Sequence, residues 1–336
     1  MRFLNSKFER PIRWLYKKTA ALSMPGNKDV SVYAVLEYFV RNLGKSELNL
    51  RASALSFTFF LALFPTVIFF FTLIAYLPLS YSTDEILFFI EQSIPKNVFQ
   101  TINETLIDIL KNQRANLLSL GFLSAMYFST NGFHSLMNLL NRSSHIKENR
   151  SFLKQRLIAI GLAFFITILI LFSVLLVTTV TILISYLEKV SYFPSQVIPL
   201  MISGLNIALS GLIVIGIVSA IYYIAPAKRP NWGFFSTGSI SATFIILLTT
   251  YGFSQYVNNF NSYNKVYGSI GVLIVIMMLI YINTFILLMC FDLNVAVDQA
   301  LHQEKKNKLR RTTENKIIYI EEPSNTLDSA DATKAI

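Results

Sequence analysis

Six apolar runs dominate this sequence, at residues 53–79, 117–140, 157–187, 197–225, 234–257 and 267–297. Each is at least about 20 residues long, the length a helix needs to cross roughly 30 Å of hydrocarbon. They are nearly free of charge, so they are read as transmembrane helices. The third run is the longest, 31 residues, and at about 1.5 Å per residue it reaches roughly 46 Å, so it must tilt or protrude. Composition agrees: 14% of residues are charged, 53% are hydrophobic and the mean hydropathy is +0.51. The expected fold is therefore all-α and polytopic.

Basic residues set the orientation, because short positive loops are retained on the cytoplasmic side. Residues 1–52 carry ten Lys and Arg, the 141–156 connection five, the 226–233 connection two and the tail from 298 seven. The alternate connections hold three, one and one. Both termini are thus expected in the cytoplasm, and the chain in the bacterial inner membrane. This distribution also accounts for the net charge of +10: the cations hold topology and meet anionic lipid headgroups. No basic stripe interleaved with exposed aromatics points to nucleic acid as a partner. The expected partners are membrane lipids, and nothing in the sequence fixes an oligomeric state.

Three regions follow from the charge pattern. Residues 1–50 form a cytoplasmic N-terminal segment in which no cleaved signal is visible. Its stretch VYAVLEYFVRNL, residues 32–43, places apolar residues where a helix can lie in the inner headgroup layer. Residues 51–300 form the membrane domain, with an outer amphipathic segment at 86–110 divided by Pro95. The tail at 301–336 is polar and is expected to be disordered.

The polar residues carried into the apolar runs are the candidates for function. On the second run Ser124, Tyr127, Asn131, His134, Asn138, Asn141 and His145 recur every three or four residues, which aligns them on one helical face. Hydrocarbon cannot satisfy them. They either hydrogen-bond to neighbouring helices and hold the bundle together, or line a wet cavity open to the cytoplasm. His134 is read as a buried neutral imidazole more readily than as a proton relay, because desolvation disfavours the cation and the stripe holds no carboxylate. Asn206 on the fourth run and Asn283 and Thr284 on the sixth extend the candidate cavity.

Near the inner boundary, Asp292 shares its depth with Arg51 and Arg142, which suggests an ion pair with one of them. Pro65 falls near the middle of the first run, where it frees a carbonyl and introduces a kink. The single cysteine, Cys290, excludes an internal disulfide and lies in an apolar run.

Catalytic signatures are missing. The chain has three histidines, His134, His145 and His302, in no HxHxD arrangement, and it has no HExxH, GxxxxGK[ST] or GxGxxG motif. No catalytic residue, metal ligand or cofactor is assigned, and the chain is not expected to be an enzyme.

Four segments together carry a resemblance: RASALSFTFFLALFP at 51–65, LLNR at 139–142, IAPAKRPNW at 224–232 and YGSIGVLIVIMMLIYINTFILLMCFDLNVAV at 267–297. In order and spacing the chain resembles the YihY/BrkB family of bacterial inner-membrane proteins. Asp292 departs from the family pattern, which usually has Glu before the Leu-Asn pair. The resemblance implies a six-helix membrane domain with cytoplasmic ends, and it brings the labels virulence factor and ribonuclease BN. The nuclease label finds no ligand set here. The leading expectation is transport or translocation of an envelope component, such as a lipid or amphipathic solute. The competing one is a structural or partner-binding membrane protein.

Overall fold

The computed structural model describes residues 23–24, 27–43, 47–76, 83–93, 96–143, 147–189, 198–228, 232–259 and 261–321. His145 and Pro95 lie outside them, as do residues 1–22 and 322–336. Nearly everything described is helical. One exception is a short antiparallel hairpin, β1 (Ser23–Met24) with β2 (Asn27–Ser31), where the all-α expectation had no strand.

The helices are α1 (Val32–Leu43), α2 (Leu48–Ile74), α3 (Thr83–Ser93), α4 (Lys96–Lys111), α5 (Ala115–Ser143), α6 (Phe152–Lys189), α7 (Ile198–Ile224), α8 (Thr237–Asn259) and α9 (Asn261–Glu321). The six apolar runs fall on α2 and α5 to α9. Four of these helices are long and apolar enough to cross a membrane, over Leu48–Ile74, Phe152–Ile184, Ile202–Ile224 and Leu273–Arg310.

The chain divides into two units. One holds the residues up to 45 and those from 295 onward; the other spans 46–294. In the first, Ser31 caps α1 by accepting the Ala34 N–H at 3.3 Å, and Val35 on that helix is fully buried. Asn42 donates to Gln299 at 3.2 Å. The tail expected to be disordered from 301 is instead helical through Glu321. Its Gln, Lys, Leu, Arg and Glu residues are good helix formers, and no Gly or Pro interrupts it before Pro323.

In the second unit, α2 continues through Pro65. Proline removes one helical hydrogen bond and frees the Leu61 carbonyl, and the helix is not ended by it. Hydroxyls on α2 are satisfied within the helix itself: Thr58, Thr66 and Thr72 donate to the carbonyls of Ala54, Ala62 and Ile68 at 2.9, 2.7 and 2.7 Å.

Helix α5 packs principally on α2, and small residues permit the approach. A Cβ placed on Gly121 would lie 3.3 Å from the Phe69 backbone, and one on Gly132 would lie 3.0 Å from the Phe59 ring. Phe59 in turn meets Phe133 edge to face at 5.7 Å.

Candidate functional site

The polar side chains gather at one end of the second unit, near the start of α2 and the end of α5. Arg51 lies one turn into α2. Its Nη2 donates to Asp292 Oδ2 on α9 at 3.1 Å and its Nη1 to the Leu139 carbonyl on α5 at 3.4 Å. The two side chains are only 9% and 2% exposed. A carboxylate so deeply withdrawn from water needs a cation beside it, and the guanidinium can reach two helices at once. Arg142, the other candidate for this pair, is exposed, and no ion pair involves it among the described residues. It lies close to the end of its helix, where its long side chain reaches water.

Asn141 is buried and uses both ends of its amide. Its Nδ2 donates to Glu148 Oε2 at 2.7 Å, and its Oδ1 accepts the Ala227 N–H at 2.8 Å. Arg150 grips Glu148 through both Nε and Nη2, at 2.9 and 2.8 Å, and reaches the Ala225 carbonyl at 2.9 Å. The connection between α5 and α6 is thereby clamped to the residues that follow α7. Arg150 holds Glu148 below the usual carboxylate range, outweighing the opposite push from burial.

His134 belongs to the same junction. Its Nε2 lies 3.0 Å from Gln155 Oε1 on α6, and Gln155 donates to the Arg150 carbonyl at 2.9 Å. Phe152 covers the imidazole edge to face at 6.4 Å.

The rest of the stripe behaves differently. Ser124, Asn131 and Asn138 are half-buried and Tyr127 is 63% exposed, while the buried side of α5 carries Gly121, Ala125, Gly132, Leu136 and Leu140. At about 100° per residue these two sets lie roughly opposite each other. The stripe therefore turns away from α2, and only His134 and Asn141 among its members have side-chain partners described above. Of the remaining candidates, Thr284 is buried, whereas the Oδ1 atoms of Asn206 and Asn283 are buried with no hydrogen-bond partner among the described residues. A recess of about 550 Å³ sits at the opposite end of α5, lined by Gln113, Arg114, Ala115, Asn116, Leu117 and Leu120, and includes none of the stripe.

A further polar cluster has Asn294 at its centre. Ser236 and Ser239 cap the start of α8 reciprocally: the Ser239 N–H donates to Ser236 Oγ at 3.2 Å and the Ser236 N–H to Ser239 Oγ at 2.9 Å. Asn294 completes the turn from α9, accepting the Gly238 N–H at 2.6 Å and donating to Ser236 Oγ at 2.7 Å. A Cβ at Gly238 would collide with the Cys290 carbonyl oxygen and the Asn294 side chain. Beside this cluster Tyr222 donates to the Leu287 carbonyl at 2.5 Å, and Phe291 meets both Tyr222 and Trp232 edge to face.

Sequence reasoning assigned no role to Glu148, Ser236 or Ser239, and counted Arg150 only among the basic residues that set orientation. The S-x-x-S pattern near the start of the fifth apolar run was the available signal for Ser236 and Ser239. Among the described residues, no group of three His, Cys, Asp or Glu side chains could hold a metal ion.

Comparison with known proteins identifies the family. The profile of the family described as virulence factor BrkB matches residues 39–315. A protein of Bacillus subtilis (strain 168) that carries the provisional name ribonuclease-like protein YfkH is 32% identical over 259 residues, covering 76% of this chain and 90% of that one. A UPF0761 membrane protein of Alteromonas mediterranea is 22% identical over 272 residues, covering 80% and 88%. Another, from Vibrio parahaemolyticus, is 21% identical over 316 residues, covering 90% and 94%. No solved structure matches the chain. With its apolar helices and a family match that runs from α1 into the last third of α9, this chain is a membrane protein of the BrkB family.

Proposed function

We propose that this protein is a six-span protein of the bacterial inner membrane that moves an amphipathic envelope component along the polar face of α5. The spans are α2 and α5 to α9. At 29 and 23 residues, α5 and α8 are long enough to cross. The Lys and Arg bias puts both termini, and with them the Arg51 and Asn141 end of the bundle, on the cytoplasmic side. On this reading α1 lies in the inner interface and α3 and α4 on the outer surface.

One observation carries the transport reading. Ser124, Asn131 and Asn138 are half-buried on the side of α5 opposite its packed face, at a depth where acyl chains cannot satisfy an amide or a hydroxyl. Such a face calls for water or a polar ligand. No charged residue occurs between Ala115 and Asn141, so the group accommodated there is one that hydrogen-bonds without needing a counter-ion.

A structural or partner-binding role is favoured by a different observation, the hydrogen bonding of Asn141 through both ends of its amide. Cysteine substitution separates the two. Asn131→Cys, His134→Cys and Asn138→Cys, each in a Cys290→Ala background, are treated with a membrane-impermeant thiol reagent from either side of the membrane. Labelling of the stripe is the expected result. Uniform protection from both sides would assign the amides to helix association and end the transport reading.

A further inference from the structure

Charge does not balance where α5, α6 and the residues after α7 meet. Over residues 141–157 and 225–228, six Lys and Arg stand against one carboxylate, Glu148. That carboxylate is already engaged by Arg150 and Asn141. The other five cations, Arg142, Lys147, Lys154, Arg156 and Lys228, have no carboxylate partner among the described residues. All of them except Arg156 are exposed.

The hydrogen bonds of the clamp bring these cations together. Asn141, next to Arg142, bonds to Glu148, next to Lys147, and to the Ala227 N–H, next to Lys228. Gln155, flanked by Lys154 and Arg156, donates to the Arg150 carbonyl. Segments as far as 86 residues apart along the chain are thus fixed at one place. Membrane topology needs basic residues in the loops, but it does not need them assembled by ordered contacts. Like charges gathered this way repel one another, and an anion seated among them removes that cost.

The surroundings say what kind of anion fits. Phe152, Leu153 and Leu157, on the first two turns of α6, are 64, 73 and 68% exposed, and the Arg156 guanidinium lies over the Phe152 ring, 5.3 Å from its centroid. Further along α6 the exposed surface stays apolar, as at Phe164, Phe165 and Ile168. A soluble anion would leave the apolar side chains without a partner, whereas a lipid meets both kinds of surface at once. We propose that this junction is a docking site for one anionic phospholipid. Its headgroup phosphate sits among Arg142, Lys147, Lys154, Arg156 and Lys228, and its acyl chains run along Phe152, Leu153 and Leu157. The lipid is a resident ligand that holds the α5–α6 connection against the end of α7, not a cargo. The site needs only that this end of the protein lie at a bilayer surface, so it depends on neither the transport reading nor the orientation.

Lipid titration of the purified full-length protein in a neutral detergent tests the site. Native mass spectrometry resolves the first bound lipid, and thermal melting reports its effect on the fold. One phosphatidylglycerol is expected to be retained far more tightly than phosphatidylcholine and to raise the melting temperature, while inorganic phosphate at the same concentration does not. Combining Lys147→Gln, Lys154→Gln and Lys228→Gln should weaken the first phosphatidylglycerol about a hundredfold, at about fivefold per cation. Lys305→Gln, Lys306→Gln and Lys308→Gln together remove the same charge from exposed positions on the far part of α9, and should leave that affinity within about twofold. Replacing Lys147, Lys154 and Lys228 by Arg should preserve it.

Equal weakening by the two Gln triples would overturn the proposal, since it would mean diffuse attraction to the whole basic surface. Unchanged affinity in the Lys147, Lys154 and Lys228 triple would do the same. Phosphatidylcholine bound as tightly as phosphatidylglycerol would remove the role of charge, and an equal rise in melting temperature with inorganic phosphate would assign the junction to a soluble anion. Should the site triple not remain monodisperse, Lys154→Gln alone decides, with a loss of about fivefold expected and no loss counting against the site. Labelling of Asn131→Cys and Asn138→Cys reads the transport proposal separately, so either can fail without the other.

Discussion

Asn294 accepts the backbone N–H of Gly238 at 2.6 Å, so a side chain from α9 supplies a hydrogen bond that the first turn of α8 cannot make for itself. Its Nδ2 reaches Ser236 Oγ at 2.7 Å in the same contact. A helix start inside a membrane protein has little water to turn to, and a single amide serves here in its place.

Gly238→Ala is accordingly expected to be among the most damaging single-methyl additions in the chain. The new Cβ meets a backbone carbonyl, which cannot rotate away. A cost of about 3 kcal/mol or more is expected from overpacking together with loss of the cap. A sharp fall in apparent melting temperature and in the yield of monodisperse protein would show it. Gly204→Ala, where nothing lies within 4 Å of the added atom, serves as the control and should change neither.

Removing one partner of the Arg51–Asp292 pair should destabilise strongly. Both side chains are more than nine-tenths buried, and breaking such a pair costs about 3 to 5 kcal/mol because a charge is left behind without compensation. Thermal melting of Arg51→Ala, Asp292→Ala and the double variant closes a double-mutant cycle. The double variant should be far less damaged than the sum of the singles.

Asp292 illustrates what was legible in the sequence. Its depth relative to Arg51 could be counted along the helices, and the structure places the two 3.1 Å apart. The orientation of the stripe could not be read the same way. A period of 3.6 groups residues on one face of a helix, but does not say which neighbour that face meets. Gly121, Ala125 and Gly132 mark the side of α5 that packs closely on α2, and the amides lie away from it. The clamp at Glu148 and Arg150 lay in a connection without periodicity, so the Ala225 carbonyl that Arg150 reaches, 75 residues away along the chain, had no local signature.

The clamp should be sensitive to acid. Arg150 lowers the Glu148 carboxyl below its ordinary value of 4.5. A depressed folded-state value means the carboxylate's contribution to stability is complete above the ordinary value and is lost as pH falls through the lowered one. Melting temperature measured against pH should therefore decline in that acidic window in the native protein. In Glu148→Gln protein this part of the decline should disappear, with lower stability at neutral pH.

His134 and Gln155 should be energetically coupled across α5 and α6. Their 3.0 Å contact lies in a part-buried setting, where a hydrogen bond between membrane helices is worth about 0.6 to 2 kcal/mol. His134→Ala, Gln155→Ala and the double variant, compared by thermal melting, should show a coupling in that range. Additive losses would mean that the contact contributes nothing.

Tyr222→Phe tests the hydroxyl alone. The ring is fully buried against Phe291, and its Oη donates to the Leu287 carbonyl. Loss of that bond should cost about 1 kcal/mol. Tyr222→Ala, which also empties the aromatic cluster, should cost about 3 to 5 kcal/mol.

The glycines at the two tight interfaces have a mechanical consequence. Gly121 and Gly132 weld α2 to α5, and Gly238 welds α8 to α9, leaving within each couple no clearance in which one rod could slide along its neighbour. Any motion of this domain that preserves these contacts carries each couple as one piece, with the guanidinium of Arg51 bridging the two.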